Sequence, residues 1–386
     1  MYIRIQNMAL SHEETCFFWG PRQTGKSTLL KKLFPEARMY DLLLSNQYER
    51  LTRNPGIIRE ECMAKNLTGE TQQDPIIIDE IQKIPQLLDE VHWLIENKSI
   101  RFILCGSSAR KLIRSHSNLL GGRAIRYELF PLTWREITDF SLEKALNSGL
   151  LPRHYKSRKP VRLMQSYIGD YLKEEILAES LTRNIPAFNR FLEIAALSNG
   201  EVLNYSNIAS ECGISSPSVK EYFQILEDTL IGSQLPAFRK RSKRRLIRSP
   251  KFYFFDLSPV IYLCRWGNVL NGSPLFGRAF EHFILMELKA HASYSELFYP
   301  ISHWRTTSGH EIDFVLGDHE IAIEVKSTQL VKGKHHLKNI RKFMSDYKTK
   351  RNIIVANEPE PRMTEDHIEI LPWQLFLKQL WEGEIM

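Results

Sequence analysis

Paired cysteines are what this sequence most plainly lacks. It has five (Cys16, Cys62, Cys105, Cys212 and Cys264), odd in number, scattered, and never spaced as C-x-x-C. That argues against a disulfide framework or a zinc ribbon and for a reducing compartment. Long apolar runs are missing too, since no stretch approaches the roughly 18 residues a membrane span requires. The opening MYIRIQNMALSH has no apolar signal core. Together these absences predict a cytoplasmic protein with no membrane partner. No nucleophile elbow, haem motif or zinc-ligand spacing points to another chemistry. Charge is abundant but nearly balanced, +7 net over 386 residues, so the placement of the basic residues matters more than their sum. A chain of this length is expected to hold roughly two to four domains.

What is present begins at residues 15–34, TCFFWGPRQTGKSTLLKKLF. An apolar run precedes G-x-x-x-x-G-K-S, and leucines at helical spacing follow it. Glycines let backbone N–H groups close around phosphates, and a helix N-terminus adds partial positive charge. The candidate cradle runs through Gly20, Pro21, Arg22, Gln23, Thr24, Gly25, Lys26, Ser27 and Thr28. In it Lys26 reaches the outer phosphates of ATP and the Ser27 hydroxyl binds Mg2+.

A second apolar, β-branched run, PIIIDEIQ (75–82), reads as a buried parallel strand ending in Asp79 and Glu80. Asp79 would hold the magnesium and Glu80 would polarise the attacking water. RFILCGSSARKL (101–112) is a third such strand, whose Ser107 and Ser108 stand where a phosphate- or water-sensing group belongs. Strands alternating with helical stretches predict a parallel α/β sheet with ligands at the strand C-termini. After two glycines comes Arg123, a candidate finger toward a phosphate on a neighbouring subunit. Arg110 and Arg126 compete for that role, and a ring or dimer follows only if an arginine acts in trans.

These motifs resemble those of a family of bacterial and archaeal AAA-type ATPases. In that family G-P-R-Q-x-G-K-[ST] is followed by a DEIQ strand, a GSS strand, a GR loop and PLTW-E. The resemblance covers nearly the whole chain. It implies a P-loop ATPase core over 1–140, a helical connector over 141–195, a winged helix-turn-helix over 196–262, and an α/β domain similar to restriction endonucleases over 263–386.

The residues beyond the core agree with that order. YSNIASECGISSPSVKEYFQILEDTL reads as helix, Gly213 turn, helix, with Ser216 as N-cap and Pro217 at the first helical position. Val219, Tyr222, Phe223 and Leu226 would face the core. Ser218, Lys220, Glu221 and Gln224 would face outward, where a helix-turn-helix reads DNA. Between Arg239 and Lys251, in the segment that would form the wing, stand eight Lys or Arg and no acid. A second basic segment covers 332–351. Double-stranded DNA is the expected partner of both.

The run GHEIDFVLGDHEIAIEVKST (309–328) reads as a hairpin about a Gly-Asp turn. Strict alternation puts Glu311, Asp313 and Val315 on one side and Ile312, Phe314 and Leu316 on the other. It likewise groups Glu324 with Lys326. Upstream, Glu281 lies on a helix with Leu285 and Leu288 on the same flank. Helix-borne Glu, strand Asp and Glu-x-Lys resemble the PD-(D/E)xK nuclease fold, with Ile312 in place of the motif's proline. The resemblance implies Mg2+ or Mn2+ on Asp313 and Glu324, a water oriented by Lys326, and Glu281 completing the shell. Two other readings stay open, DNA contact without cleavage and a protein-docking domain with Lys326 paired to Glu281 or Asp313. The His335-His336 pair reads as surface.

Overall fold

The structure, a computed structural model, describes residues 2–108, 120–172, 184–239 and 246–386. It divides into two compact units, one formed by Arg4–Pro131 with Asp228–Ile231 and the other by the remaining residues.

The first unit is a five-stranded parallel sheet of β1 (Cys16–Trp19), β2 (Met39–Asp41), β3 (Ile76–Asp79), β4 (Phe102–Gly106) and β5 (Ile125–Glu128), in the order β2-β3-β4-β1-β5. Every residue of β1, β3 and β4 is buried, as expected of strands covered on both faces. Because the strands are parallel and β4 lies between β1 and β3, three chain segments leave the sheet at one edge. They are the loop after Trp19, the Asp79-Glu80 pair and Ser107. The β5 strand is an addition to what the sequence showed, since its apolar pattern is broken by Arg126. It pairs Cys16 with Ile125 on the free side of β1.

The second unit joins the helical middle to the C-terminal half through one continuous core. That core links Leu132, Tyr155 and Ile261 to Phe280, Phe283, Phe314 and Trp373. Its six-stranded mixed sheet comprises β8 (Ile301–Arg305), β9 (Glu311–Leu316), β10 (Ile321–Lys326), β11 (Arg351–Ala356), β12 (Arg362–Met363) and β13 (Ile368–Pro372). The helices Pro274–Tyr294 and Trp373–Trp381 cover one face. The helix Gly333–Asp346 covers the other through Leu337, Ile340 and Phe343.

Alternation fails at one place. Ser302 pairs with Val315 but Trp304 with Ile312, so β9 carries one residue more than β8 between those pairs. This β-bulge moves Ile312 into the cluster that holds Val315, while Phe314 and Leu316 stay in the other. The expected grouping of Ile312 with Phe314 is therefore corrected.

The helix-turn-helix forms with helices Tyr205–Cys212 and Ser216–Asp228 about Gly213 at φ 67°. The cap is one residue earlier than expected, with Ser215 Oγ accepting from Ser218 N at 3.3 Å. Strands β6 (Gly232–Leu235) and β7 (Lys251–Phe254) pair antiparallel behind it. The described residues on either side of 240–245 lie along the edge of β8. Phe238 N donates to His303 O at 2.7 Å and Ile247 N to Arg305 O at 2.9 Å.

Candidate functional site

The nucleotide loop is built from the sheet edge upward. Gln23 and Gly25 take left-handed backbone, at φ 64° and 96°. Gly20 has no room for a side chain, because a Cβ there would stand 2.5 Å from Leu129 O. Arg4 ties the loop down, donating to Thr24 O at 2.7 Å and to Phe130 O at 2.6 Å. Thr24 Oγ1 donates to Pro21 O at 2.8 Å. Lys26 is buried, its ammonium held over the loop by Gly20 O at 2.7 Å and Pro21 O at 3.0 Å. Ser27 Oγ donates to Asp79 Oδ2 at 2.6 Å. The hydroxyl and carboxylate that a phosphate-bound magnesium requires thus stand side by side, although they are 52 positions apart in sequence.

Glu80 sits next to that pair with left-handed backbone, φ 59°. Its carboxylate accepts from Gln82 Nε2 and from Ser107 Oγ, the latter at 3.3 Å. Burial raises its pKa. Lys26 pulls it back and Asp79 pushes it up again, with Arg22 also facing it. The structure thus brings together the loop, Asp79, Glu80 and Ser107. Arg123 pairs with Glu96, and Arg126 with Glu128 at 2.6 Å. Arg110 lies outside the described residues.

Glu281, Asp313, Glu324 and Lys326, the residues of the second candidate site, stand in unexpected pairings. Glu281 Oε1 accepts from Lys251 Nζ at 3.0 Å and from the Tyr253 hydroxyl at 2.5 Å. Lys251 also meets Glu311 at 2.6 Å, and Arg305 meets Glu311 at 3.4 Å. Lys326 pairs with Glu324 at 2.6 Å, not with Glu281 or Asp313 as the docking reading expected. Asp313, at the bulge, accepts from Val325 N at 2.7 Å. Burial and then the Glu281 charge hold Asp313 well above the usual carboxylate range, with Lys251 and Lys326 opposing.

Glu324 is 2% exposed, and its pKa is raised by burial against the pull of Lys326. Its Oε1 accepts from Asn339 at 3.2 Å, and Asn339 in turn meets His310. Its Oε2 is buried with no hydrogen-bond partner, a donor atom a cation would fit. Among the described residues, however, no three His, Cys, Asp or Glu side chains group closely enough to hold a metal by themselves. Any ion there needs water or phosphate oxygen to fill its shell. Asn339 and His310 escaped sequence reading because each reaches the site only through another side chain.

The basic segments are smaller than their sequence count. Lys251 is 2% exposed and committed to carboxylates, so it is not available to a phosphate. In the second segment Arg341 forks onto Asp366 at 2.7 and 3.1 Å, Lys350 meets Glu320 at 2.6 Å, and Arg351 meets Glu369. Exposed and described, besides the paired Lys350, are Arg239, Arg248, Lys332, Lys338 and Lys348. Residues 240–245, with five of the eight basic residues of the first segment, lie outside the described residues. Lys220, Glu221 and Gln224 face outward on the second helix of the helix-turn-helix, as expected. His335 is exposed, and His336 Nδ1 accepts from Lys332 N at 3.0 Å.

Comparison with known proteins adds the following. Residues 12–138 match the family described as AAA domain. Residues 139–269 and 276–376 match two further families, each described as a domain of unknown function. Two uncharacterized proteins, from Mycobacterium bovis and Mycobacterium tuberculosis, are each 26% identical to the chain over 330 residues, covering 83% of it and 72% of their own length. A solved signal transduction ATPase with numerous domains and a tetratricopeptide repeat sensor, from Pyrococcus horikoshii, aligns at 16% identity and a TM-score of 0.22. That alignment covers 75% of this chain and spans about half, 48%, of the solved one. No described helix is long and apolar enough to cross a membrane. The AAA-domain match covers the residues that bring Lys26, Ser27, Asp79 and Glu80 together, and it supports a P-loop ATPase domain in this part of the chain.

Proposed function

We propose that this protein binds Mg-ATP in the Gly20–Thr28 loop, hydrolyses it, and grips double-stranded DNA with its second unit. The observation that carries the reading is the Ser27–Asp79 hydrogen bond at 2.6 Å beside Glu80. Magnesium, when bound, neutralises phosphate charge. Ser27 and Asp79 would hold it, Lys26 would bind the outer phosphates, and Glu80 would orient the attacking water. Binding of a fluorescent ATP analogue to wild type and Lys26→Ala tests the first step. Magnesium-dependent binding lost in Lys26→Ala is expected, and equal binding by both proteins would rule the loop out. Arg123 serves as a finger only in an assembly and after leaving Glu96. Turnover per chain that rises with protein concentration in wild type but not in Arg123→Ala is the expected sign.

The DNA half of the reading is supported by the outward face of the helix-turn-helix and by the exposed Arg239, Arg248, Lys332, Lys338 and Lys348. A second reading, metal-dependent DNA cleavage at Asp313, Glu324 and Lys326 with Mg2+ or Mn2+, is favoured by the partnerless Glu324 Oε2. Its test is plasmid incubated with either metal, with and without ATP. Nicking lost in Lys326→Ala but kept in Lys26→Ala supports it. Absence of both nicking and salt-sensitive DNA binding would favour a scaffold ATPase whose second unit binds protein.

A further inference from the structure

Glu80 poses a positioning problem. It follows Asp79 in left-handed backbone, which costs a non-glycine residue about 1 kcal/mol or more, and its carboxylate is enclosed at the sheet edge. Something must fix the direction of that carboxylate. The single turn Ile81–Lys83 returns Gln82 to it, with Lys83 N donating to Glu80 O at 2.9 Å. Gln82 is 5% exposed, and its Nε2 donates both to Glu80 Oε2 and, at 3.3 Å, to Ser107 Oγ. Ser107, fully buried, donates to the same Glu80 oxygen. The three side chains close a triangle.

The neighbouring strand end is shaped for this amide. A Cβ on Gly106 would stand 2.4 Å from Gln82 Oε1 and 2.6 Å from the Trp19 ring. Glycine there makes the space the amide occupies, and the next residue supplies the hydroxyl that holds it. A primary amide presents two donors from one uncharged nitrogen, one for the carboxylate and one for the hydroxyl. A glutamate would set two carboxylates against each other, and leucine has the shape without the donors.

We propose that Gln82 is the positioning residue of ATP hydrolysis, aiming the Glu80 carboxylate at the attacking water together with Ser107. This inference rests on the hydrolysis reading above. A group acting only through Glu80 must leave nucleotide affinity alone and lose its influence once Glu80 is gone.

The test is a double-mutant cycle. Single-turnover ATP hydrolysis and the Kd of a fluorescent ATP analogue are measured for wild type, Gln82→Leu, Glu80→Gln and the double variant. Gln82→Leu is expected to slow hydrolysis about 10- to 100-fold, the range in which misaiming a reacting group operates. Its Kd should stay within about twofold, and the double variant should be no slower than Glu80→Gln. Ser107→Ala, a smaller change, keeps the test available if Gln82→Leu does not fold, with slowing of about threefold or more expected and again none in the Glu80→Gln background. Equal slowing in both backgrounds, or a loss confined to Kd, would overturn the proposal. Hydrolysis that is absent in wild type, or unchanged in Lys26→Ala, is a distinct outcome and removes both readings.

Discussion

At the scale of single residues, Glu287 is the most consequential one that sequence reading did not find. It is 1% exposed, accepts from Trp134 N at 2.7 Å and from Trp381 Nε1 at 2.8 Å, and joins the start of the second unit to its last helix. Burial pushes its pKa up from 4.5 to about 8, against those two hydrogen bonds. A carboxyl whose pKa is raised on folding favours the fold while protonated. That contribution is fully present below about 4.5 and is lost as pH rises through about 8. Thermal melts of wild type should therefore fall across this window by an amount worth up to about 5 kcal/mol, at about 1.4 kcal/mol per unit. Glu287→Gln should remove that part of the slope, and identical slopes in the two proteins would refute the assignment. Gly106→Ala should cost about 1–3 kcal/mol, the usual range for overpacking, in a denaturant titration. No loss would mean that the space around Gln82 is not tight. Lys26, Ser27, Asp79 and Glu80 were legible because their spacing along the chain is itself the chemistry. Gln82, Arg4 and Glu287 were not, because each takes its meaning from a partner brought near only by folding.

At the scale of elements, the hairpin over 309–328 shows where pattern reading stops. Its strands and turn stand where the pattern put them, yet one extra residue in β9 re-sorts the faces and turns Asp313 toward the backbone of β10. No residue type announces that bulge, since it follows from how β8 is paired. Strand β7 is a second case. From sequence Lys251 belongs to a basic run, and from the fold it is the buried counter-ion of Glu281 and Glu311. Removing one partner of a buried ion pair costs about 3–5 kcal/mol. Both carboxylates keep some solvent, so Lys251→Met should destabilise by about 2–3 kcal/mol, at or below the lower end of that range. A denaturant midpoint unchanged from wild type would show that the ammonium is not holding this cluster.

At the scale of the whole molecule, the proposed function sets ATP hydrolysis on one unit and DNA binding on the other. Burial withdraws Lys251 from the basic surface, and carboxylate partners offset the charge of Arg341, Lys350 and Arg351. If about four or five of the remaining cations touch phosphates, DNA affinity should drop roughly 10²–10³-fold between 50 and 200 mM salt. An affinity indifferent to salt would place the partner among proteins instead. The central claim is narrower, and phosphate release from Mg-ATP tests it most directly in wild type, Lys26→Ala and Glu80→Gln. The account predicts steady release by wild type that stops on chelating magnesium, no release with Lys26→Ala, and retained nucleotide binding with little release in Glu80→Gln. Release undiminished in Lys26→Ala, or none in wild type, would contradict it.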